Sequence, residues 1–300
     1  MEYVTLNNGV KMPILGFGVY QITDPKECEQ AVVDALQAGY RLIDTAASYE
    51  NEEAVGRGIC RSGVPREEIF VTTKLWVSNT NYSEAKMGFR RLLDRLGLDY
   101  IDLYLIHQCF NDYYGAWKAM TELYKIGAVK AIGVCNCFAD RLADLICFNE
   151  IAPAVNQIEC NVFYQRENDL QYMNKRGVQM EGWAPFAEGH NNIFNNETLK
   201  FVANKYKKSV PQIIIRWHIQ RGIVAIPKST KKERIIENFN VFDFELTNED
   251  MKLISTIDMN KSTFFDLRTP EMVEAIAKLN RNVKKSYWLR VRFRFYNLLK

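Results

Sequence analysis

Along most of the chain, short runs of β-branched and aliphatic residues alternate with longer stretches whose apolar positions recur every third or fourth residue. The short runs predict eight strands, at 41–44, 69–73, 101–106, 129–134, 154–158, 178–182, 223–226 and 239–244. Asp24-Pro25 reads as a helix N-cap and first helical residue, with Ala31, Val32, Ala35 and Leu36 on one face and Gly39 as the stop. Similar amphipathic patterns occupy 83–96, 115–125, 197–207, 211–220 and 248–257. Asn8-Gly9 marks a turn and, with it, a short N-terminal β-hairpin. Strands alternating with helical crossovers predict a parallel sheet, and eight of them favour a closed α/β barrel, the TIM (β/α)8 architecture, over a doubly wound open sheet. No long polar linker divides the pattern, so one barrel domain is expected over 1–270, followed by a C-terminal extension over 271–300.

Composition narrows this picture only a little. Of 300 residues, 47% are hydrophobic and 25% charged, as in an ordinary globular chain, and no apolar run is long enough to span a membrane. The seven cysteines at 28, 60, 109, 135, 137, 147 and 160 are scattered without any C-x-x-C pair, which argues for reduced thiols, no metal site and a cytoplasmic setting. The net charge of +3 comes from the end of the chain: beyond Glu274 there are eight Lys or Arg and no acid.

In such a barrel, chemistry sits at the C-terminal ends of the strands. Four polar residues fall there: Asp44 at the end of 41–44, Tyr49 just after it, Lys74 after 69–73, and His107 after 101–106. Each alone has an ordinary explanation, as a cap, a surface group or a structural histidine. Together they describe a proton donor: an ammonium beside a phenol favours the phenolate and lowers the phenol pKa, while a carboxylate keeps the lysine charged and oriented. His107 would hydrogen-bond the same substrate oxygen or relay its proton.

The run Gly39-Tyr40-Arg41-Leu42-Ile43-Asp44-Thr45-Ala46-Ala47-Ser48-Tyr49-Glu50-Asn51-Glu52 resembles the first signature of the aldo-keto reductase family. Asp102-Leu103-Tyr104-Leu105-Ile106-His107 resembles its histidine strand, and Ile226-Pro227-Lys228-Ser229, with Arg234, Glu237 and Asn238, its phosphate-side signature. Glu181-Gly182-Trp183-Ala184-Pro185-Phe186 is most similar to the bacterial branch of diketogluconate and small-aldehyde reductases. The resemblance runs from about residue 5 to 270 and implies hydride transfer from NADPH to a carbonyl carbon, with Tyr49 protonating the oxygen. It also implies a cofactor site without a Rossmann fold. In that site Gly18, Val19 and Tyr20 line the groove beside Asp44 and Cys135, Asn136 and Gln157 bind the nicotinamide carboxamide, and Trp183 stacks on its ring. Lys228, Ser229 and Arg234, with Glu237 and Asn238 beyond them, would face the 2′-phosphate. Gly16-Phe17-Gly18 starts like a dinucleotide fingerprint but lacks its third glycine.

Three positions depart from the family pattern: Gln108-Cys109 where Trp-Pro is common, Cys135 where Ser is common, and Asn161 where His is common. The tail alternates cation and apolar residue at Arg290-Val291-Arg292-Phe293-Arg294-Phe295; the preferred reading is an extension over the barrel, with an acidic partner or anionic membrane as the second. No nucleic-acid motif accompanies the charge. The expected function is NADPH-dependent reduction of small dicarbonyls, sugar-derived carbonyls or other reactive aldehydes and ketones by a monomer or weak oligomer. The rivals are an NADPH-binding sensor barrel that turns over slowly, and a barrel aldolase or isomerase using Lys74 as a Schiff base.

Overall fold

The computed structural model describes residues 1–283, so the alternating basic stretch of the tail lies outside the described residues. The chain divides into two compact units, Met1–Thr263 and Phe264–Lys300. In the first unit an antiparallel hairpin, β1 (Tyr3–Thr5) and β2 (Lys11–Pro13), turns at Gly9, whose φ of 85° suits glycine. Its Met12, with Leu6 beside it, packs among the inward residues Leu42, Phe70 and Leu103 and so fills one end of the barrel.

Eight parallel strands follow: β3 (Phe17–Gly18), β4 (Leu42–Asp44), β5 (Phe70–Leu75), β6 (Ile101–Ile106), β7 (Val129–Cys135), β8 (Val155–Glu159), β9 (Gln179–Trp183) and β10 (Val224–Ala225). They pair in chain order. The sheet closes on itself where Leu15 bridges Ala225, with Gly16 N–H donating to the Ala225 carbonyl at 2.8 Å and Ala225 N–H to the Ile14 carbonyl at 3.0 Å. This is the expected (β/α)8 barrel. Helix α1 (Pro25–Ala38) begins at Asp24, whose carboxylate accepts from Lys26 and Glu27 N–H, and ends at Gly39 in the left-handed region. The helices α2 (Glu52–Ser62), α3 (Tyr82–Leu96), α4 (Tyr113–Lys125), α5 (Ala139–Phe148), α6 (Glu167–Arg176), α7 (Glu197–Tyr206), α8 (Val210–Gln220), α9 (Lys232–Phe239) and α10 (Asn248–Ser255) complete the unit. None of the described helices is long and apolar enough to cross a membrane. In the second unit, Pro270–Val283 is helical.

One predicted strand is absent and one barrel strand lies elsewhere. Residues 239–244 end α9 and enter a bend: Phe239 stacks on Tyr40 at 5.0 Å and on Phe242 at 5.9 Å, and Phe244 on Tyr206 at 5.6 Å. Their alternation serves aromatic docking between helices rather than a ladder. The eighth strand is Phe17–Gly18, two residues long and half glycine, below what strand propensity detects. The strand ending in Asp44 is therefore the second of the barrel.

Candidate active site

Asp44 is the last residue of β4, and Lys74 lies beside it near the end of β5, both facing the interior. The Lys74 side chain is wholly buried, and Nζ donates to Asp44 Oδ1 at 2.6 Å, to the Thr45 carbonyl at 2.9 Å and to Tyr49 Oη at 3.1 Å. All three ammonium protons are thus directed. A short 3₁₀ turn, Ala47–Tyr49, brings the tyrosine back over the lysine, whose Nζ lies 4.8 Å from the ring centroid. Burial alone would lower the Lys74 pKa, but its neighbours, Asp44 foremost among them, together outweigh it, so the ammonium is held charged.

Lys74 lowers the Tyr49 pKa, as the sequence leads one to expect, but the net shift is upward. Burial pushes the phenol up by more than Lys74 pulls it down, and the Asp44 charge adds to the rise. Tyr49 holds its proton at neutral pH. Lys74 limits the penalty and is placed to donate to the oxygen as it becomes anionic.

His107, directly after β6, sits edge-on to Tyr49 at 5.7 Å and to Trp76 at 5.2 Å, with Nδ1 at 3.3 Å from Ser48 Oγ. Burial and the nearby Lys74 charge hold its pKa well below the ordinary histidine value, so the ring is neutral. Tyr20 covers Tyr49 from the other side at 4.9 Å.

A second chain of contacts leads from Asp44 to the far strands. Gln157 Nε2 donates to Asp44 Oδ2 at 2.8 Å, and Gln157 Oε1 accepts from Cys135 Sγ at 3.7 Å. Asn136, in the left-handed region at φ 55°, donates to Cys135 Sγ and to the His107 carbonyl, both at 3.2 Å, and accepts from Trp183 Nε1 at 2.9 Å. Asparagine is among the few side chains that enter this region readily. The Cys135 thiol thus links the two amides through weak hydrogen bonds, donating to Gln157 and accepting from Asn136. Val19 N–H donates to the Asp44 carbonyl at 3.1 Å, which places the end of β3 at the same rim.

The remaining predicted residues gather apart from this cluster. Lys228 and Arg234 are exposed, Ser229 and Glu237 are half-buried, and Asn238 is buried on α9. Neither Lys228 nor Arg234 makes an ion pair among the described residues. Lys231 at the N-cap of α9 supplies no side-chain cap, so the helix end keeps open N–H groups. The two clusters meet at Gly18, whose N–H donates to the Pro227 carbonyl at 3.1 Å; a Cβ there would stand 2.9 Å from the Ile226 carbonyl, too close for any other residue. Asn161, uninterpreted in the sequence, organises a turn: its Oδ1 accepts from Phe163 and Tyr164 N–H at 3.0 and 3.1 Å, and Nδ2 donates to Glu159 at 3.3 Å.

Sequence reasoning assigned no role to Ser48, Trp76 or Glu181, of which Glu181 is fully enclosed in the barrel interior. The period of two along β9 carried that signal, since it puts Glu181 on the same face as Trp183.

A closed parallel barrel with a buried Asp–Lys–Tyr chain at the C-terminal rim defines the class, a barrel oxidoreductase. Residues 14–259 match the model of the Aldo/keto reductase family, and the chain belongs to that family. Among its relatives, glyoxal reductase of Bacillus subtilis (strain 168) is 45% identical over 261 residues, 87% of this chain and 94% of that protein. An aldo-keto reductase from a Medee basin deep-sea metagenome library superposes with a TM-score of 0.86 at 44% identity, covering 89% of this chain and 99% of that one. The Bombyx mori aldo-keto reductase, solved in complex with NADP, has a TM-score of 0.84 at 36% identity, covering 89% and 95%.

Proposed function

We propose that this protein reduces small aldehydes and 1,2-dicarbonyls to alcohols with NADPH, using Tyr49 as the acid. The observation that carries the reading is the Lys74 ammonium, shared at 2.6 and 3.1 Å between Asp44 and the Tyr49 hydroxyl in a buried site. The dicarbonyl class draws on the similarity to a glyoxal reductase, and the nucleotide on the relative solved with NADP. Seven unpaired cysteines suit a reducing cytoplasm.

The residues present fit such a nucleotide. Gly18 leaves space where a side chain would collide with the loop after β10, and Lys228 in that loop and Arg234 in the first turn of α9, without an ion pair among the described residues, flank an open helix N-terminus, a recurrent phosphate seat in barrels. Lys228, Ser229 and Arg234 would hold the 2′-phosphate, with Glu237 and Asn238 along the same helix. Gly18, Val19 and Tyr20 would line the groove. Asn136 and Gln157 would exchange present partners for a carboxamide, and Trp183 would flank the ring. When bound, NADPH supplies the hydride.

Tyr49 gives its proton to the carbonyl oxygen as negative charge develops there, and Lys74, already hydrogen-bonded to Oη, stabilises the phenolate left behind. Asp44 fixes Lys74 in place and in charge. Neutral His107 steers the substrate oxygen toward Tyr49 by a hydrogen bond rather than by charge. An Asp44 that raises the lysine pKa works against a Schiff-base role for Lys74, which requires a free amine.

The deciding experiment follows NADPH consumption with methylglyoxal and a panel of small aldehydes, comparing wild type with Tyr49→Phe. Turnover that depends on Tyr49 supports the reductase; tight NADPH binding with no turnover on any carbonyl would move the reading to a sensor.

A further inference from the structure

The barrel interior contains a carboxylic acid that the chemistry above leaves unused. Glu181 lies in the middle of β9, is 0% exposed, and neither of its oxygens has a hydrogen bond of full geometry. A buried polar group in that condition is uncommon and calls for a reason. In the sheet ladder Glu181 stands opposite Gln157 of β8 and Val224 of β10. Gln157 in turn donates to the Asp44 oxygen that Lys74 leaves free. Glu181 is therefore separated from the catalytic carboxylate by one side chain.

The charges facing it are few. Asp44 comes from β4 and Lys74 from β5, with Tyr49 beyond the lysine; β7 contributes the Cys135 thiol, whose pKa burial raises, and β8 the uncharged Gln157. Leu103 and Leu105 of β6 and Val224 of β10 are apolar. Among the described residues the cation facing it, Lys74, is already matched by Asp44, so a second carboxylate would be uncompensated. Burial first, and then the Asp44 charge, push the Glu181 carboxyl up to about 8, against smaller opposing pulls from Gln157 and Lys74.

We propose that Glu181 is a positioning residue whose retained proton keeps the Gln157–Asp44–Lys74 chain in balance, so that Tyr49 remains an effective acid. The role rests on the reading of Tyr49 as proton donor. When Glu181 ionises, a second negative charge appears behind Asp44 and competes for the Gln157 amide. Tyr49 then releases its proton less readily, and reduction slows without any change in how substrate is held.

The test compares wild type with Glu181→Gln, which keeps the shape and neutrality of the protonated acid but cannot ionise, and with Glu181→Met as a second neutral variant. Wild-type kcat for carbonyl reduction is expected to fall above an inflection near about 8, roughly tenfold within one pH unit beyond it. Both variants should lack this inflection, each staying within about twofold of its own low-pH rate. KM should not follow pH in any of the three. An inflection that survives in both variants, or a loss of rate equal at every pH, would overturn the proposal.

Infrared spectra of the resting protein supply a readout independent of turnover: a protonated-carboxyl stretch at pH 6.5 that disappears in alkali and is missing from Glu181→Gln. A protein that reduces carbonyls but shows no such band would overturn this role alone. A protein that shows the band but reduces no carbonyl would overturn the reductase reading and this role with it.

Discussion

The interior cluster and the loop after β10 both carry lysine near the barrel rim, yet the two lysines are in opposite conditions. Lys74 is enclosed and fully hydrogen-bonded by Asp44, Thr45 and Tyr49, so its geometry exists before any ligand arrives. Lys228 is exposed, as is Arg234, and neither makes an ion pair among the described residues. The first region matches its charge internally. The second leaves its charge exposed. If the proposed function holds, the first serves catalysis and the second affinity, and substitutions should separate the two.

The largest effect is expected at Tyr49. Tyr49→Phe should lower kcat for carbonyl reduction by roughly 10²- to 10⁴-fold while leaving NADPH affinity within about twofold, measured by steady-state kinetics and by nucleotide fluorescence titration. Similar losses in both would erase the distinction between the regions. Asp44→Asn strands the buried Lys74 charge, and a stability loss of about 3–5 kcal/mol is expected in denaturant unfolding. At the exposed loop the same logic predicts almost no change in stability. Lys228→Ala and Arg234→Ala should each weaken NADPH by about 10-fold or more, with little change for NADH and within about 0.5 kcal/mol of wild-type stability. Equal weakening of both nucleotides would remove the 2′-phosphate from the assignment.

A pH dependence sharpens the interior side of the comparison. Glu181 has its pKa raised from 4.5 to about 8 on folding, so between these values the folded state holds a proton that the unfolded chain has released. Its contribution is complete below the lower value and is lost as pH rises through the upper one. Melting curves of wild type and Glu181→Gln should therefore diverge progressively from pH 5 to pH 8, with the variant gaining on wild type throughout that window. Parallel curves would show that Glu181 does not titrate on folding.

Most of the barrel was legible because seven of its strands are apolar runs long enough to read, and because Asp24, Pro25 and Gly39 punctuate α1 as caps should. The failures have physical causes. Phe17–Gly18 is a strand only because Ala225 and Asp44 lie on either side of it, a tertiary fact without a local signature. The aromatic alternation at 239–244 serves packing against Tyr40 and Tyr206 rather than a ladder. At the site, strand ends and the signature around Tyr49 pointed to Asp44, Tyr49, Lys74 and His107, and the structure brings the four together. The net shift of the Tyr49 pKa was read with the wrong sign, because neighbours along the chain reveal a cation but not the depth of burial that outweighs it.

Closure of the barrel depends on contacts between positions at opposite ends of the first unit, Leu15 and Ala225. The Asp44–Lys74 pair joins adjacent strands and can form as soon as those strands have met, whereas the Gly18–Pro227 contact must wait for nearly the whole unit to be available. Loop closure of roughly two hundred residues is slow compared with neighbouring-strand pairing. During synthesis the Asp44–Lys74 pair would then be assembled before the Gly18–Pro227 contact that closes the barrel. A ribosome-bound chain stopped short of Ala225 would hold that pair on an open sheet edge, a species exposed to misassociation until the last strand arrives.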